Sequence, residues 1–172
     1  MDTLPLASFI RDIPDFPRPG IVFKDITPLL REPAALRQAL DEMTARARRL
    51  GPELIVGIES RGFLFGAPLA DRLGLGFVPV RKPGKLPFRS VRDEYALEYG
   101  NGVLEMHEDA LGRHRVLIVD DLLATGGTAA CTARLCERLG AEVAGFLFLV
   151  ELTFLQGRAA LGGRPVEALV AF

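Results

Sequence analysis

The chain has 172 residues, of which 49% are hydrophobic and 25% are charged, and its formal net charge is −1. This length fits one domain with a substantial core, and so small a net charge gives no general attraction to nucleic acid. The N-terminus lacks the basic start and apolar run of a signal peptide, and the longest apolar run, residues 143–150, is too short to span a bilayer. Two cysteines without metal-ligand spacing suit a reducing compartment, so we expect a cytoplasmic protein with no membrane and no nucleic-acid partner.

The N-terminal part of the chain predicts two helices and one short strand. Residues 4–10 have a short helical pattern, which several prolines and a Pro-Gly pair end. Residues 21–23 predict a short strand. Pro33 suits a first helical turn, and apolar residues at helical spacing follow it up to Gly51 and Pro52.

The middle of the chain alternates strand and helix patterns before a long polar segment. Residues 54–58 predict a buried strand, residues 63–73 a helix and residues 77–80 another strand. The segment 81–102 is polar, contains prolines and glycines, and is long for a simple connection, which is typical of lids and binding loops. Residues 95–99, at the end of this segment, and residues 103–106, just after it, have the pattern of a β-hairpin.

The C-terminal part continues the alternation. Residues 115–119 predict an apolar strand, residues 128–139 a helix and residues 143–149 a further strand. This order predicts a single α/β domain with a parallel twisted sheet flanked by helices, whose core is residues 31–150. Residues 1–30 and the tail after Glu151 lie outside the alternation, and we expect them to form a small cap over the carboxyl edge of the sheet.

A strand, two carboxylates and a glycine turn follow one another in residues 116–128. Asp120 and Asp121 end the predicted strand, and small residues then open a helix: Ala124, Thr125, Gly126, Gly127 and Thr128. Exposed amides of such a turn, the helix N-terminus and the threonine hydroxyls favour a phosphate monoester, although a plain turn capped by Thr128 is the alternative for the loop alone. Ligands of open α/β sheets bind at this edge, and neighbouring carboxylates would accept the hydroxyls of a ribose 5-phosphate.

Two further segments carry charges that a phosphorylated ligand requires. Arg61 follows Glu59 and Ser60 in a tight turn between a strand and a helix, and its donor fork is either an anion ligand or an ordinary surface charge. The segment 81–102 begins with three cations that are either solvated surface or a second group of anion ligands: Arg81, Lys82 and Lys85.

The run at residues 116–128 resembles the signature of the type I phosphoribosyltransferases. This resemblance implies that residues 124–128 hold the 5-phosphate of 5-phosphoribosyl 1-pyrophosphate (PRPP). It also implies that Asp120 and Asp121 meet the ribose hydroxyls, with the cofactor Mg²⁺ bound nearby through the substrate. The implied fold has a hood subdomain, formed by residues 1–30 and 151–172, and a mobile catalytic loop at residues 81–102.

By the same resemblance, the turn at Glu59 is the pyrophosphate loop of the family. Its backbone amides and the Arg61 side chain would receive the leaving group, and we expect a cis peptide bond between Glu59 and Ser60. Many relatives carry Asp at the position of Glu59. The cations Arg81, Lys82 and Lys85 would belong to the lid and neutralise the departing pyrophosphate, within one chain or across the interface of the homodimer that the family implies.

The acceptor base is suggested by two regions that resemble the adenine-specific branch of the family. Residues 97–100 match that branch closely, and we expect Glu98 to transfer a proton near the purine. Residues 16–26 resemble its hood, in which Phe23 would stack on adenine while two neighbours present backbone groups to the purine edge: Val22 and Lys24. Most relatives carry Arg at the second of these positions. Leu152 would cover the other side of the ring.

The resemblance covers residues 10–158 and implies a purine salvage transferase that converts adenine and PRPP to AMP and pyrophosphate. Its expected catalytic residues are Glu98, Arg61 and Lys85. One alternative is a phosphoribosyltransferase for another purine, xanthine or guanine. The other is a non-catalytic regulator that binds purine or PRPP, which the lack of a DNA-binding module in the sequence disfavours.

Overall fold

The computed structural model describes residues 4–96 and 101–172 of the chain. The chain separates into two compact units, Met1–Glu42 and Met43–Phe172. Within the described ranges, every helix is too short or too polar to cross a membrane.

The first unit contains a small antiparallel sheet and the start of a long helix. Its elements are a 3-10 helix at Leu6–Phe9, the strands β1 (Arg11–Pro14) and β2 (Val22–Asp25), the helix α1 (Thr27–Arg31) and the first part of the helix α2 (Pro33–Leu50). As predicted, α2 begins at Pro33, because proline has no amide hydrogen to leave unpaired in the first helical turn. The sequence did not predict β1, because its four residues lack the alternation of a half-buried strand, yet they pair with β2.

The second unit is built around a parallel sheet of five strands. Its elements in chain order are β3 (Leu54–Ile58), α3 (Gly62–Leu73), β4 (Gly76–Val80), β5 (Ser90–Ala96), β6 (Asn101–His107), β7 (Arg115–Leu123), α4 (Gly127–Arg138), β8 (Glu142–Glu151) and β9 (Val166–Ala171). The order of strands in the sheet is β4-β3-β7-β8-β9, and each pairs in parallel with its neighbour. This confirms the predicted α/β fold, in which helices flank a parallel sheet.

The central strands of the sheet form the core of the second unit. Val116, Leu117, Ile118 and Val119 of β7 have no exposed surface. A parallel strand covered on both faces is apolar at every position rather than at every second one, which explains the continuous apolar run in the sequence. β8 follows the same rule, and its Phe146 and Phe148 rings stack with centroids 6.4 Å apart.

The C-terminal tail supplies the fifth strand of this sheet. β9 pairs in parallel with β8, with Phe146 opposite Val166 and Val150 opposite Val170. The expectation that the tail after Glu151 lies outside the alternation is therefore wrong for this strand. The connection between the two strands contains 3-10 turns at Thr153–Leu155 and Gly157–Leu161 instead of an α-helix, so the sequence shows no helical period there. The hood assignment itself stays a prediction.

The segment 81–102 contains regular structure in its second half. β5 and β6 form an antiparallel hairpin with Tyr95 opposite Gly102, so the predicted pairing starts earlier in the chain than expected. Side chains of α4 hold the hairpin, since Arg134 contacts the Asp93 carboxylate at 2.6 Å and Arg138 donates to the Arg92 carbonyl at 2.9 Å. Residues 97–100 lie outside the described residues, and the mobility of the segment stays a prediction.

Candidate active site

A cavity of about 330 Å³ lies beside the carboxyl ends of β3 and β7. This volume is within the range of small-molecule sites, and the position is the edge at which open parallel sheets bind ligands. The residues that line it come from the turn after β3, the segment after β4, the strand β5, the end of β7 with the loop that follows, the start of α4, and β8: Glu59, Ser60, Arg61, Lys82, Tyr95, Asp120, Asp121, Leu122, Leu123, Ala124, Thr125, Gly126, Gly127, Thr128, Ala129 and Phe148.

The parallel pairing of β3 with β7 brings two distant segments of the sequence together. Gly57 lies opposite Val119, so the turn after β3 follows the sheet edge beside the two aspartates. There the Arg61 Nε donates to the Asp121 Oδ2, and the Asp121 side chain is only 5% exposed. The arginine expected to bind pyrophosphate and a carboxylate expected to bind ribose thus form a direct ion pair, which the sequence did not predict.

The loop at residues 124–128 has the backbone of an anion site. Gly126 has a φ of +83°, a conformation that glycine adopts without steric cost, and it forms the N-cap of α4. No side chain of the described residues caps this helix end, and the first amides of a helix have no partner within the helix. These amides and the helix dipole favour an anion. The alternative in which Thr128 caps the helix is wrong, because Thr128 lies inside α4.

The two aspartates lie within β7 rather than after it. The strand continues to Leu123, four residues beyond its predicted end, because its pairing with β8 extends to Glu151. Burial raises the pKa of Asp120 well above its ordinary range, and the neighbouring Asp121 carboxylate raises it further. The Asp121 amide donates to Asp120 Oδ1 at 2.9 Å but does not offset these effects. Negative charge on Asp120 is therefore costly, which favours a cation or a hydroxyl donor beside it.

Glu59 connects the turn after β3 to the start of the segment 81–102. Its Oε2 accepts from the Lys82 amide at 2.9 Å and from the Arg81 Nε at 3.2 Å. Burial acts to raise the pKa of Glu59, but the Lys82 amide and the Arg81 guanidinium lower it below its ordinary range. The Glu59 side chain is long enough to make both of these contacts. The expected cis peptide bond between Glu59 and Ser60 is present.

We expect Glu59→Gln to lower the free energy of unfolding at pH 7 by about 1–2 kcal/mol, because the glutamine oxygen can still accept these hydrogen bonds but lacks the charge that strengthens them. A carboxylate with a lowered pKa stabilises the fold above its unfolded pKa of about 4.3, and that stabilisation is lost as the pH falls through the folded value. The difference between variant and wild type should therefore shrink when urea unfolding is repeated at pH 4.

The matched control for this experiment is Glu108→Gln. Glu108 forms an exposed ion pair with Arg89 at 3.7 Å, and pairs of this kind contribute about 0–1 kcal/mol. Equal effects of the two substitutions at pH 7 would contradict the role given to Glu59.

Only one of the three cations of the predicted lid lines the cavity in the described part of the chain. Among the described residues, neither Arg81 nor Lys85 lines the cavity, whereas Lys82 does. Arg81 is paired with Glu59, and its Nη1 donates to the Lys85 carbonyl at 3.3 Å. Lys85 is exposed. The structure therefore brings Lys82, but not the other two, to the cavity.

The residues expected to bind adenine lie in both units. In the first unit, Val22 is 48% exposed, Phe23 contacts Phe16 edge-to-face at 5.3 Å, and Lys24 pairs with Asp12 at 2.6 Å. In the second unit, Leu152 is 8% exposed, and its amide donates to the Leu123 carbonyl at 2.9 Å. Glu98 lies outside the described residues. The roles of these side chains stay predictions.

Tyr95 and Phe148 line the cavity but were absent from the predicted site. Phe148 lies in the apolar run of β8, where no signal distinguishes it from core residues. Tyr95 reaches the cavity through the hairpin of β5 and β6, whose pairing the sequence located only roughly. Both residues lie at the site because of contacts between segments that are distant in sequence.

The described residues fit a magnesium ion that arrives with its substrate. They contain no group of three or more His, Cys, Asp or Glu side chains that could hold a metal. Mg²⁺ is commonly bound by one or two carboxylates together with substrate phosphates, because it keeps several of its waters. Asp120 and Asp121 in the cavity supply such a carboxylate pair.

Comparisons with known proteins identify the family of the chain. The model of the phosphoribosyl transferase domain matches residues 29–159. The adenine phosphoribosyltransferase of Gloeobacter violaceus is 57% identical over 169 residues, which cover 97% of this chain and 99% of that protein. The crystal structure of adenine phosphoribosyltransferase from Thermoanaerobacter pseudethanolicus superimposes with a TM-score of 0.94 at 53% identity, covering 97% of this chain and 98% of the other.

A third relative was solved with ligands. The adenine phosphoribosyltransferase of Saccharomyces cerevisiae, complexed with an imino-altritol bisphosphate and adenine, has a TM-score of 0.89 at 41% identity and covers 95% of this chain and 96% of its own. The match of the domain model to most of the chain, together with relatives of this identity and coverage, shows that the chain belongs to the phosphoribosyl transferase domain family.

Proposed function

We propose that the protein is an adenine phosphoribosyltransferase, a purine salvage enzyme that converts adenine and PRPP to AMP and pyrophosphate. The observation that carries the proposal is one cavity lined both by the carboxylate pair of β7 and by the loop at the N-terminus of α4. Relatives that carry this name and match almost the whole chain at more than half identity support it.

PRPP fits the chemistry of the cavity. The 5-phosphate binds at residues 124–128, where α4 begins and its first amides are available to an anion. The ribose hydroxyls donate to Asp120 and Asp121, which border that loop on the same strand. The raised pKa of Asp120 makes hydroxyl donors and cations better neighbours for this carboxyl group than other anions.

The pyrophosphate leaves between the carboxylates and the turn after β3. Arg61 and Lys82 line this side of the cavity, and the amides of the turn at Ser60 add donors. Negative charge grows on the leaving group as the bond to the anomeric carbon breaks, so groups that stabilise it act mainly in the transition state. Arg81 and Lys85 are the remaining cations that we propose for this role. Their segment closes over the substrate and excludes water that would hydrolyse the activated sugar.

Mg²⁺ supplies charge neutralisation of the diphosphate when it is bound. Asp120 and Asp121 are the residues that would hold it, together with the bound substrate. The carboxylates also place negative charge beside a sugar ring that becomes cationic as the leaving group departs.

Adenine is held by the hood. We assign Phe23 the role of stacking on the purine, while the backbone groups of Val22 and Lys24 meet its edge. Leu152 is a further residue that we propose for contact with adenine. The ligands bound to the yeast relative, adenine and an imino-altritol bisphosphate, are of the types that these two parts of the site require. Glu98 transfers a proton near the purine, and an unchanged kcat in Glu98→Gln would contradict that role.

We further propose that the protein is a cytoplasmic homodimer with one catalytic domain, in which residues 1–30 and 151–172 form the hood and residues 81–102 the lid. Its two cysteines are buried and free, which suits a reducing compartment. Light scattering coupled to size exclusion tests the dimer, and a monomeric mass would contradict it.

The test of the function is a coupled assay of nucleotide formation from PRPP with adenine, hypoxanthine, guanine and xanthine. We expect AMP formation from adenine and little product from the other three bases. Faster product formation from another base would contradict the assignment of adenine as the acceptor. PRPP binding without any product would favour a regulator instead of an enzyme.

A further inference from the structure

The segment that follows β8 packs directly on the loop at residues 124–128. Gly157 is buried, and a Cβ atom at this position would meet the Ala124 carbonyl oxygen, with Leu123 Cδ1 at 2.9 Å and the Ala124 carbonyl carbon at 3.1 Å. From the other side, a Cβ atom at Gly126 would meet the Gly157 carbonyl oxygen. The backbones of the two segments are therefore in close contact at both glycines.

An ion pair holds this segment in place. The Arg158 Nε donates to Glu151 Oε1 at 2.7 Å, and its Nη2 donates to Glu151 Oε2 at 2.7 Å. The third nitrogen, Nη1, donates to the Val166 carbonyl of β9 at 2.9 Å. The Glu151 side chain is only 8% exposed, so this two-pronged pair is shielded on the carboxylate side.

Two further contacts fix the ends of the same segment. Its first residue after β8, Leu152, donates its amide to the Leu123 carbonyl at 2.9 Å. At its far end Leu161 is 1% exposed and packs in the hydrophobic core, while Arg164 Nη1 donates to the Leu161 carbonyl at 3.1 Å. The backbone beside Ala124 is therefore anchored on both sides of Gly157.

We propose that Gly157 and the Glu151–Arg158 pair are positioning residues for the loop at residues 124–128. The inference rests on the proposed function of that loop as the site of the PRPP 5-phosphate. Backbone amides bind an anion only in fixed directions, and a misplacement of about 1 Å in a binding site can cost about 10²-fold. Gly157 sets the position of the Ala124 carbonyl, and Glu151 and Arg158 set the position of Gly157.

A purely structural role predicts a different result from a positioning role. A structural contact changes stability and lowers all activities together through the folded fraction. A positioning contact changes the affinity for the 5-phosphate and leaves the affinity for pyrophosphate unchanged. Among the described residues, Gly157 packs against Leu123, Ala124 and Gly126 rather than against the turn at Ser60 and Arg61.

The test compares Gly157→Ala with the wild type by titration calorimetry and steady-state kinetics. We expect the Kd for ribose 5-phosphate and the KM for PRPP to rise about 10–100-fold, since the added methyl group displaces backbone rather than a flexible side chain. The Kd for pyrophosphate, measured with Mg²⁺, should stay that of the wild type. Unchanged affinity for ribose 5-phosphate, or equal weakening of both ligands, would overturn the inference.

Gly112→Ala is the matched control. Neither glycine has a positive φ, but a Cβ atom at Gly112 has His114 Nδ1 as its nearest neighbour at 3.6 Å, an ordinary contact. This variant should bind ribose 5-phosphate like the wild type. A similar loss in both variants would show that the effect at Gly157 is not specific, and this too would overturn the inference.

Arg158→Lys provides a second test that does not add volume beside the loop. Lysine keeps the charge opposite Glu151 but cannot donate two parallel hydrogen bonds and reach the Val166 carbonyl as well. We expect it to weaken ribose 5-phosphate binding less than Arg158→Gln does, with pyrophosphate binding unchanged in both. If Gly157→Ala does not fold, the two Arg158 variants test the inference instead. Unchanged affinity for ribose 5-phosphate, or equal weakening of ribose 5-phosphate and pyrophosphate binding, would again overturn it. A wild-type protein that makes no AMP would contradict the proposed function, whereas the ribose 5-phosphate comparison would still test the positioning.

Discussion

Arg61→Ala should reduce kcat/KM for PRPP by about 10²–10³-fold, the usual cost of removing one group that stabilises developing charge. The side chain lines the cavity, and its Nε donates to the Asp121 Oδ2, which holds the guanidinium at the edge of the site before substrate arrives. A group that is already oriented needs little rearrangement as the pyrophosphate separates, so most of the loss should appear in kcat.

Arg61→Lys separates charge from geometry. Lysine retains a positive charge but lacks the planar fork of donors, so it should recover only part of the lost activity. Arg113, which is exposed, gives the control: Arg113→Ala should behave like the wild type. Steady-state kinetics at saturating adenine measure the effect. Activity of Arg61→Ala close to that of the wild type would exclude Arg61 from leaving-group stabilisation.

Asp120→Asn should have opposite effects on activity and on stability. Activity should fall about 10²–10³-fold, because the variant removes a charge beside the developing positive charge of the sugar. The folded protein without ligand should become more stable at neutral pH, because burial and the Asp121 carboxylate raise the pKa of Asp120 and its ionised form is therefore unfavourable. Asparagine has nearly the same shape as aspartate, and its side-chain oxygen can still accept the hydrogen bond from the Asp121 amide.

The sign of the pH dependence follows from the raised pKa. In the unfolded chain an aspartate titrates near 3.9, so the folded state binds the proton more tightly between that value and the folded pKa. Stability of the wild type therefore falls as the pH rises through this window and is constant above it. The advantage of Asp120→Asn should be largest at neutral pH and should disappear as the pH falls toward about 4.

Thermal unfolding without Mg²⁺ or substrate measures this difference. For a chain of this size, about 2–4 °C in Tm corresponds to 1 kcal/mol. The exposed Asp109 provides the control, since Asp109→Asn should change stability by no more than about 0.5 kcal/mol. A lower Tm for Asp120→Asn at pH 7 would contradict the unfavourable ionisation of Asp120.

Local patterns were sufficient for the central elements of the fold. The strand at Leu54–Ile58 agrees with the predicted range, and the helix Gly62–Leu73 differs from it by one residue. Both have a strong apolar pattern and a glycine or polar turn at each end. The ends of β7 and β8 were predicted too early, because strand length depends on the pairing partner, which is distant in sequence.

The candidate site was predictable where its residues are contiguous. Asp120, Asp121 and the loop that follows form one continuous run, so their proximity is set by the chain itself. The contact of Arg61 with Asp121 depends on β3 lying beside β7, and the cavity positions of Tyr95 and Phe148 depend on the hairpin and on β8. Such contacts join residues that no local pattern relates.

By itself, the amino-acid sequence determined the alternation of strands and helices, the glycine turn at the start of α4 and the carboxylates beside it, because these depend on neighbours a few residues apart. Only the tertiary structure decided that Val166–Ala171 joins the sheet, that Arg61 pairs with Asp121, and that Gly157 packs on Ala124. The physical reason is that strand pairing and backbone packing depend on which distant segments meet, and the energy of those contacts exists only in the folded chain.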